Sequence, residues 1–157
     1  MTSRRNQGSQ ATRTGRVLEE HVKSIFSSYG FTVIPYADYL NLPKPIEGNY
    51  LVLNAPYTSI YNHQGKTEFL AVSSERDLTI RIECKWQQVS GSVDEKFPYL
   101  FENCLIMPED TIFILLDGEG YKPEARQWLA NEAKNCKKKD IRVFNMTGFT
   151  TWANNNL

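Results

Sequence analysis

Glu68, Glu83 and Lys85 are the residues whose types and spacing suit them for chemistry. Two runs rich in β-branched and apolar residues, Thr67–Ser73 and Leu78–Trp86, flank the polar segment Ser74-Glu75-Arg76-Asp77 and read as a hairpin. If Ser73 pairs with Leu78 across that turn, Glu68 falls opposite Glu83, with β-carbons roughly 4.5–5.5 Å apart. Lys85 and then Gln87 project from the same face, because strand side chains alternate. Phe69, Ala71, Ile80, Ile82 and Cys84 take the other, core-facing side. Two facing carboxylates repel each other and destabilise a sheet unless something neutralises them. Mg²⁺ prefers oxygen ligands, typically one or two carboxylates with water and phosphate, and the carbonyl of Cys84 is a further candidate ligand. A cation held there would polarise a phosphate ester and activate water. Lys85 would hold the phosphate or stabilise developing negative charge, and Gln87 would position the same groups by hydrogen bonds. Glu-x-Lys on a strand also arises as an ordinary solvated face. The facing acid, and a capped helix after a short loop, weigh against that.

The elements that must position these groups follow from periodicity. Residues 1–13 are polar, with Arg4, Arg5 and Arg13, and read as a disordered basic arm. From Thr14 the spacing of Leu18, Val22, Ile25, Phe26 and Tyr29 predicts a helix that Gly30 ends. Residues 31–35 suggest a short strand or helix exit. Pro43, Pro45 and Pro56 argue for irregular structure over 36–62, with short strands at most. Ser92 and Glu95 form a capping box for a helix reaching about Asn103, with Pro98 in its second turn. Thr111–Asp117 is apolar enough for a central strand. Pro123 opens another helix, ending near Lys139, and Ile141–Asn145 is a last strand. The order implies an α/β domain over 14–157, a mixed sheet flanked by helices.

Bulk properties bound the function. The chain has 157 residues, a length suited to one core. No apolar run is long enough to span a bilayer, and cysteines at 84, 104 and 136 fit neither zinc spacing nor a disulfide framework. Free thiols suggest a reducing, cytoplasmic setting. Eighteen basic and eighteen acidic residues cancel, which is unusual for a nucleic-acid binder. The charges are nonetheless segregated: Arg4, Arg5, Arg13 and Arg16 precede any acid, and Lys137–Lys139 form a second basic run. Each cluster reads equally as a phosphate-binding patch or as a solvated tail and helix end.

Glu83-Cys84-Lys85, with Glu68 as the upstream acid, resembles the signature of the PD-(D/E)xK nuclease superfamily, which has a restriction-endonuclease-like αβββαβ core. The resemblance implies a Mg²⁺- or Mn²⁺-dependent nuclease acting on DNA as an endonuclease, and is compatible with a homodimer. It places Glu19, on the first helix, near the metal site. It also offers Lys96, in Gly91-Ser92-Val93-Asp94-Glu95-Lys96, as a phosphate contact beside Arg13 and Arg16. The upstream acid departs from the pattern: it is Glu preceded by Thr67, not Asp preceded by Pro. Asp77 is a rival, but it sits in the turn, roughly 20 Å from Glu83 along an extended strand.

Other residues carry less. His21 and His63 are the only histidines and read as structural or surface groups. Asp117-Gly118-Glu119-Gly120 reads as a turn, and Trp86, Tyr99, Phe101 and Trp128 as packing between helix and sheet rather than base-stacking groups. The competing functional readings are a catalytically inactive module of the same fold that binds DNA or protein, and an unrelated α/β domain with a solvated strand face.

Overall fold

The computed structural model describes residues 3–87, 91 and 93–157, with side chains described from Gly15 onward. Six strands form one mixed sheet: β1 Thr32–Pro35, β2 Asn49–Thr58, β3 Gln64–Ser73, β4 Leu78–Trp86, β5 Thr111–Asp117 and β6 Asp140–Phe144. They lie side by side in chain order. β2, β3 and β4 form an antiparallel meander, while β1 joins β2, β5 joins β4 and β6 joins β5 in parallel. This is the mixed, helix-flanked α/β sheet that the alternation predicts.

Two layers of helix cover the sheet. α1 (Ser3–Ser28) and α5 (Met146–Asn156) bury Leu18, Val22, Phe26 and Phe149 against Phe69, Ala71, Ile80, Ile82 and Cys84. α3 (Phe97–Ile106) and α4 (Pro123–Asn135) bury Phe97, Leu100, Phe101, Cys104 and Leu129 against Ile112, Ile114 and Leu116 on the other face. β4 and β5 are therefore apolar along most of their length, as strands covered on both faces must be. A short helix, α2 (Tyr36–Leu40), follows β1.

Several boundaries differ from expectation. α1 begins at Ser3 and takes in most of the stretch read as a disordered arm. Its Arg, Gln and Ala residues favour helix and it contains no proline. β2 crosses the region read as irregular. Pro56 is tolerated because β1 pairs only with Tyr50–Leu53, so the missing N–H of Pro56 faces an open edge. Ser92, the expected cap, lies outside the described residues. A 3₁₀ turn, Asp94–Lys96, leads into α3, and Pro98 stands in its first turn rather than inside it, where its missing N–H costs nothing. α4 stops at Asn135, and Lys139 instead points its ammonium at the carbonyls of Met107 and Glu109 beyond the end of α3.

Candidate metal and phosphate site

The β3–β4 hairpin has the expected register, with Ser73 opposite Leu78, Leu70 opposite Arg81 and Phe69 opposite Ile82. Beyond Phe69 and Ile82 the ladder stops, although β4 remains paired with β5 as far as Trp86 and Asp117. β3 departs because β2 and β3 kink together. Neither Asn54 nor Glu68 appears in the otherwise continuous β2–β3 register, and Asn54 adopts a left-handed φ of 54°. The result is a fork between β3 and β4.

Glu68 occupies the fork. The continued register would set Thr67 opposite Cys84. Instead the Cys84 N–H donates to Glu68 Oε2 at 2.8 Å. In an antiparallel pair, the N–H and C=O of one residue point toward the same neighbour. The Cys84 carbonyl is thus directed into the same fork. Glu83 lies beside it, only 6% exposed. Lys85 Nζ donates to Glu83 Oε1 at 2.5 Å, while Glu83 Oε2 is buried with no hydrogen-bond partner among the described residues.

The electrostatics follow from burial. Burial pushes the Glu68 carboxyl up, and the neighbouring Glu83 charge pushes it further, to about 7, against the pull of Lys85 and the Cys84 N–H. Burial likewise raises Glu83, outweighing Lys85 and Arg81. Burial disfavours the Lys85 ammonium, but Glu83 and Glu68 together reverse that and raise its pKa. Lys85 therefore stays a cation and donates hydrogen bonds rather than accepting a proton. The Cys84 thiol, on the α1 side, is held well above its usual range by burial first and then by Glu68, Glu83 and Glu19. A ligand from Cys84 is thus its carbonyl, since only a thiolate binds metal well.

The donor set suits a hard divalent cation. It offers an orphaned carboxylate oxygen, a second carboxylate that resists ionisation beside the first, and a backbone carbonyl turned the same way. Among the described residues, no group of three or more His, Cys, Asp or Glu side chains is gathered closely enough to hold a metal. Such a site would rest on two carboxylates and backbone oxygen.

The other expected residues lie outside the β3–β4 hairpin. Glu19 is half-buried on α1, on the Cys84 thiol side of β4. Gln87 does not join the site. Its amide donates to the Gly120 carbonyl at 2.8 Å and accepts from the Val93 N–H at 3.1 Å, fastening the turn after β5. Gly118 closes that turn at φ +98°, where an added β-carbon would lie 2.2 Å from the Gln87 carbonyl oxygen. Lys96 and Arg16 stand exposed, outside the carboxylate group, and the Arg13 side chain lies outside the described residues. His21 bonds Thr150, and Asp117 accepts from the N–H groups of Gly118 and Met146, as structural residues do.

Two neighbours were missed. Arg81, 3% exposed, makes two bonds to Glu109, at 2.5 and 2.9 Å, and further bonds to the Ala55 carbonyl and Thr67. It places a fixed positive charge behind Glu83. Tyr57 packs beside Glu83 and Lys85, and both of their charges act on its phenol. Its ring lies over Gly65, its cross-strand partner, where an added β-carbon would meet the ring at 2.8 Å. A glycine opposite an aromatic residue across a hairpin was the available signal, hidden because β2 was not recognised.

The sequence matches the PD-(D/E)XK nuclease superfamily domain over residues 10–157. The chain belongs to the PD-(D/E)XK nuclease superfamily. A search of the curated proteins finds no match. The six-stranded mixed sheet with helices on both faces is consistent with the restriction-endonuclease-like fold of that superfamily. Members generally use divalent metals, and the family membership carries nuclease-type activity as its coarse functional meaning. No helix among the described residues is long and apolar enough to cross a membrane.

Proposed function

We propose that this chain is a Mg²⁺- or Mn²⁺-dependent nuclease hydrolysing DNA phosphodiester bonds, acting as an endonuclease, with Glu68, Glu83 and the Cys84 carbonyl as the metal ligands. The observation that carries the proposal is the buried Oε2 of Glu83, without a hydrogen-bond partner among the described residues, beside a second carboxylate in a fork of the sheet. An unpaired carboxylate oxygen in a low-dielectric site is costly, and a cation relieves it. Once bound, a divalent cation supplies Lewis-acid polarisation of the phosphate ester.

The chain's own residues supply the rest. Lys85, its side chain 34% exposed, reaches from the buried Glu83 toward solvent. It is placed to donate to a non-bridging phosphate oxygen and to stabilise charge that builds up during attack. Glu83 keeps that ammonium in one orientation, and Arg81 behind it favours the ionised carboxylate. Glu68, anchored on the Cys84 N–H, keeps the fork open. Glu19 and Gln87 take no direct part in this reading.

The deciding experiment incubates supercoiled and linear DNA with Mg²⁺, Mn²⁺ or chelator, wild type beside Glu83→Ala. Cation-dependent nicking of the closed circle, lost in the variant while the fold persists, is the expected result. DNA retained in chelator with no cleavage in either metal would point to a binding module instead.

A further inference from the structure

The tip of the β2–β3 hairpin is held with unusual care for a surface turn. Asn103 on α3, 1% exposed, accepts from the Ile60 N–H at 2.9 Å. Ser59, 5% exposed, accepts at its hydroxyl from the N–H groups of Tyr61 and His63, and its own N–H reaches the His63 carbonyl at 2.8 Å. Buried side chains thus spend their hydrogen bonds on fixing a turn whose apolar content faces water. Tyr61 is 65% exposed, and its ring stacks on that of Tyr99 from α3, with centroids 5.2 Å apart and planes 24° apart. Tyr99 is itself 37% exposed. Docking of the turn is already secured by Asn103, so the rings are not needed for it.

This pair lies on the α3 side of the sheet, the side toward which Glu83 and Lys85 project from β4. Tyr57 packs on the α3 side of the sheet, within reach of the charges of Glu83, Lys85 and Tyr99. A strand whose phosphate lay at Lys85 would lie on the face of the sheet that carries Tyr57 and the Tyr99–Tyr61 stack. Aromatic faces suit bases that are out of a duplex, because a paired and stacked base offers a protein only its edges.

We infer that Tyr61 and Tyr99 form a stacking platform for an unpaired base, so that the nucleic acid this chain acts on is single-stranded or locally unpaired. The inference rests on the nuclease reading for its phosphate, yet the two are separable by experiment. In chelator, a fluorescein-labelled single strand and its duplex are titrated with wild type, Tyr61→Ala, Tyr99→Ala and Tyr61→Phe, and anisotropy is followed across a salt series. Wild type is expected to bind the single strand more tightly than the duplex. Each alanine variant is expected to weaken single-strand binding by about tenfold, within the range for loss of one stacked base. The salt slope should not change, since no phosphate contact is lost. Tyr61→Phe, which keeps the ring, should bind as wild type does. Alanine variants equal to wild type, no preference for the single strand, or no binding of either form would each overturn the inference. Cleavage of the same strands in Mg²⁺ tests the nuclease reading on its own. Stacking without cation-dependent cleavage sinks only that reading, and cleavage with undiminished Tyr61→Ala binding sinks only the platform.

Discussion

Glu68→Gln should stabilise the metal-free protein at neutral pH and remove the share of its pH dependence that Glu68 contributes above about pH 5. In the fold the Glu68 carboxyl is pushed up to about 7 from an ordinary 4.5, by burial and then by Glu83. The folded chain therefore holds a proton that the unfolded chain releases between those values. This contribution to stability is fully present below about pH 4.5 and is lost as pH rises through about 7. At 1.36 kcal/mol for each unit, the loss is about 3 kcal/mol. For a chain of this length that corresponds to roughly 6–12 °C in Tm. Glutamine has the same shape and keeps an oxygen for the Cys84 N–H, so the fork is preserved without the charge. Thermal unfolding in chelator, from about pH 4.5 to about pH 8, reads the effect. The variant should match wild type at the acid end and exceed it at the alkaline end. Millimolar Mg²⁺ should narrow that gap by stabilising wild type more at about pH 8 than at about pH 5, because protons and metal compete for the same oxygens. A Glu68→Gln variant that tracks wild type across the whole range, or that falls below it at about pH 8, would refute both the burial argument and the placement of the two carboxylates in one field.

Lys85→Ala should lower the cleavage rate by about 10²–10³-fold, the usual effect of losing one transition-state donor, measured as nicking of supercoiled DNA at saturating Mg²⁺. Arg81→Met should cost about 3–5 kcal/mol in urea unfolding, since it leaves Glu109 buried and unpaired. Adding Glu109→Leu should restore much of that loss, and failure to do so would show that the pair is not a closed unit. Gly118→Ala should cost more than about 2 kcal/mol, because φ +98° and a β-carbon 2.2 Å from the Gln87 carbonyl oxygen are both intolerable for alanine. A near-neutral Gly118→Ala by the same measurement would mean that the turn after β5 moves freely.

The hairpin was legible because its alternation has period two and its turn is uniformly polar. The strand Leu78–Trp86 and the pairing of Ser73 with Leu78 are both realised. Alternation alone implied that Glu68 would lie across from Glu83 on a flat ladder. It does not report the joint kink at Asn54 and Glu68, which depends on contacts between strands distant in sequence. Gln87 was carried onto the site face by the same alternation, but β4 ends at Trp86 and the chain turns to meet Gly120. α5 went unseen because Thr, Gly and Asn are weak helix formers. The side chain of Asn145 caps it by accepting from the Gly148 N–H, and Phe149 and Ala153 anchor it. The Arg81–Glu109 pair spans a separation in sequence that no local pattern reveals.

The fork explains how one sheet can hold both a stable core and a group of charges that oppose folding. Where β3 and β4 are paired, the alternating face is filled by Phe69, Ala71, Ile80 and Ile82, and every ladder bond is made between backbones. Once the ladder opens, the Cys84 N–H would be left without a partner inside the sheet, a loss of about 1–3 kcal/mol if unmet. Only an acceptor on a side chain at the kink can reach it, and Glu68 is that acceptor. The same bond that repairs the backbone therefore brings a carboxylate toward Glu83, whose second oxygen has no partner among the described residues. Aspartate at position 68 would be shorter by one methylene. It would have to give up either the Cys84 N–H or its closeness to Glu83, which accounts for a glutamate where the superfamily signature has aspartate. Glu68→Asp should accordingly retain the negative charge and lose the geometry. Calorimetry should then show weaker Mg²⁺ binding than in wild type, by a margin close to that of Glu68→Gln. Full binding by the aspartate variant would show that charge alone, and not the reach across the fork, determines how this site holds its ion.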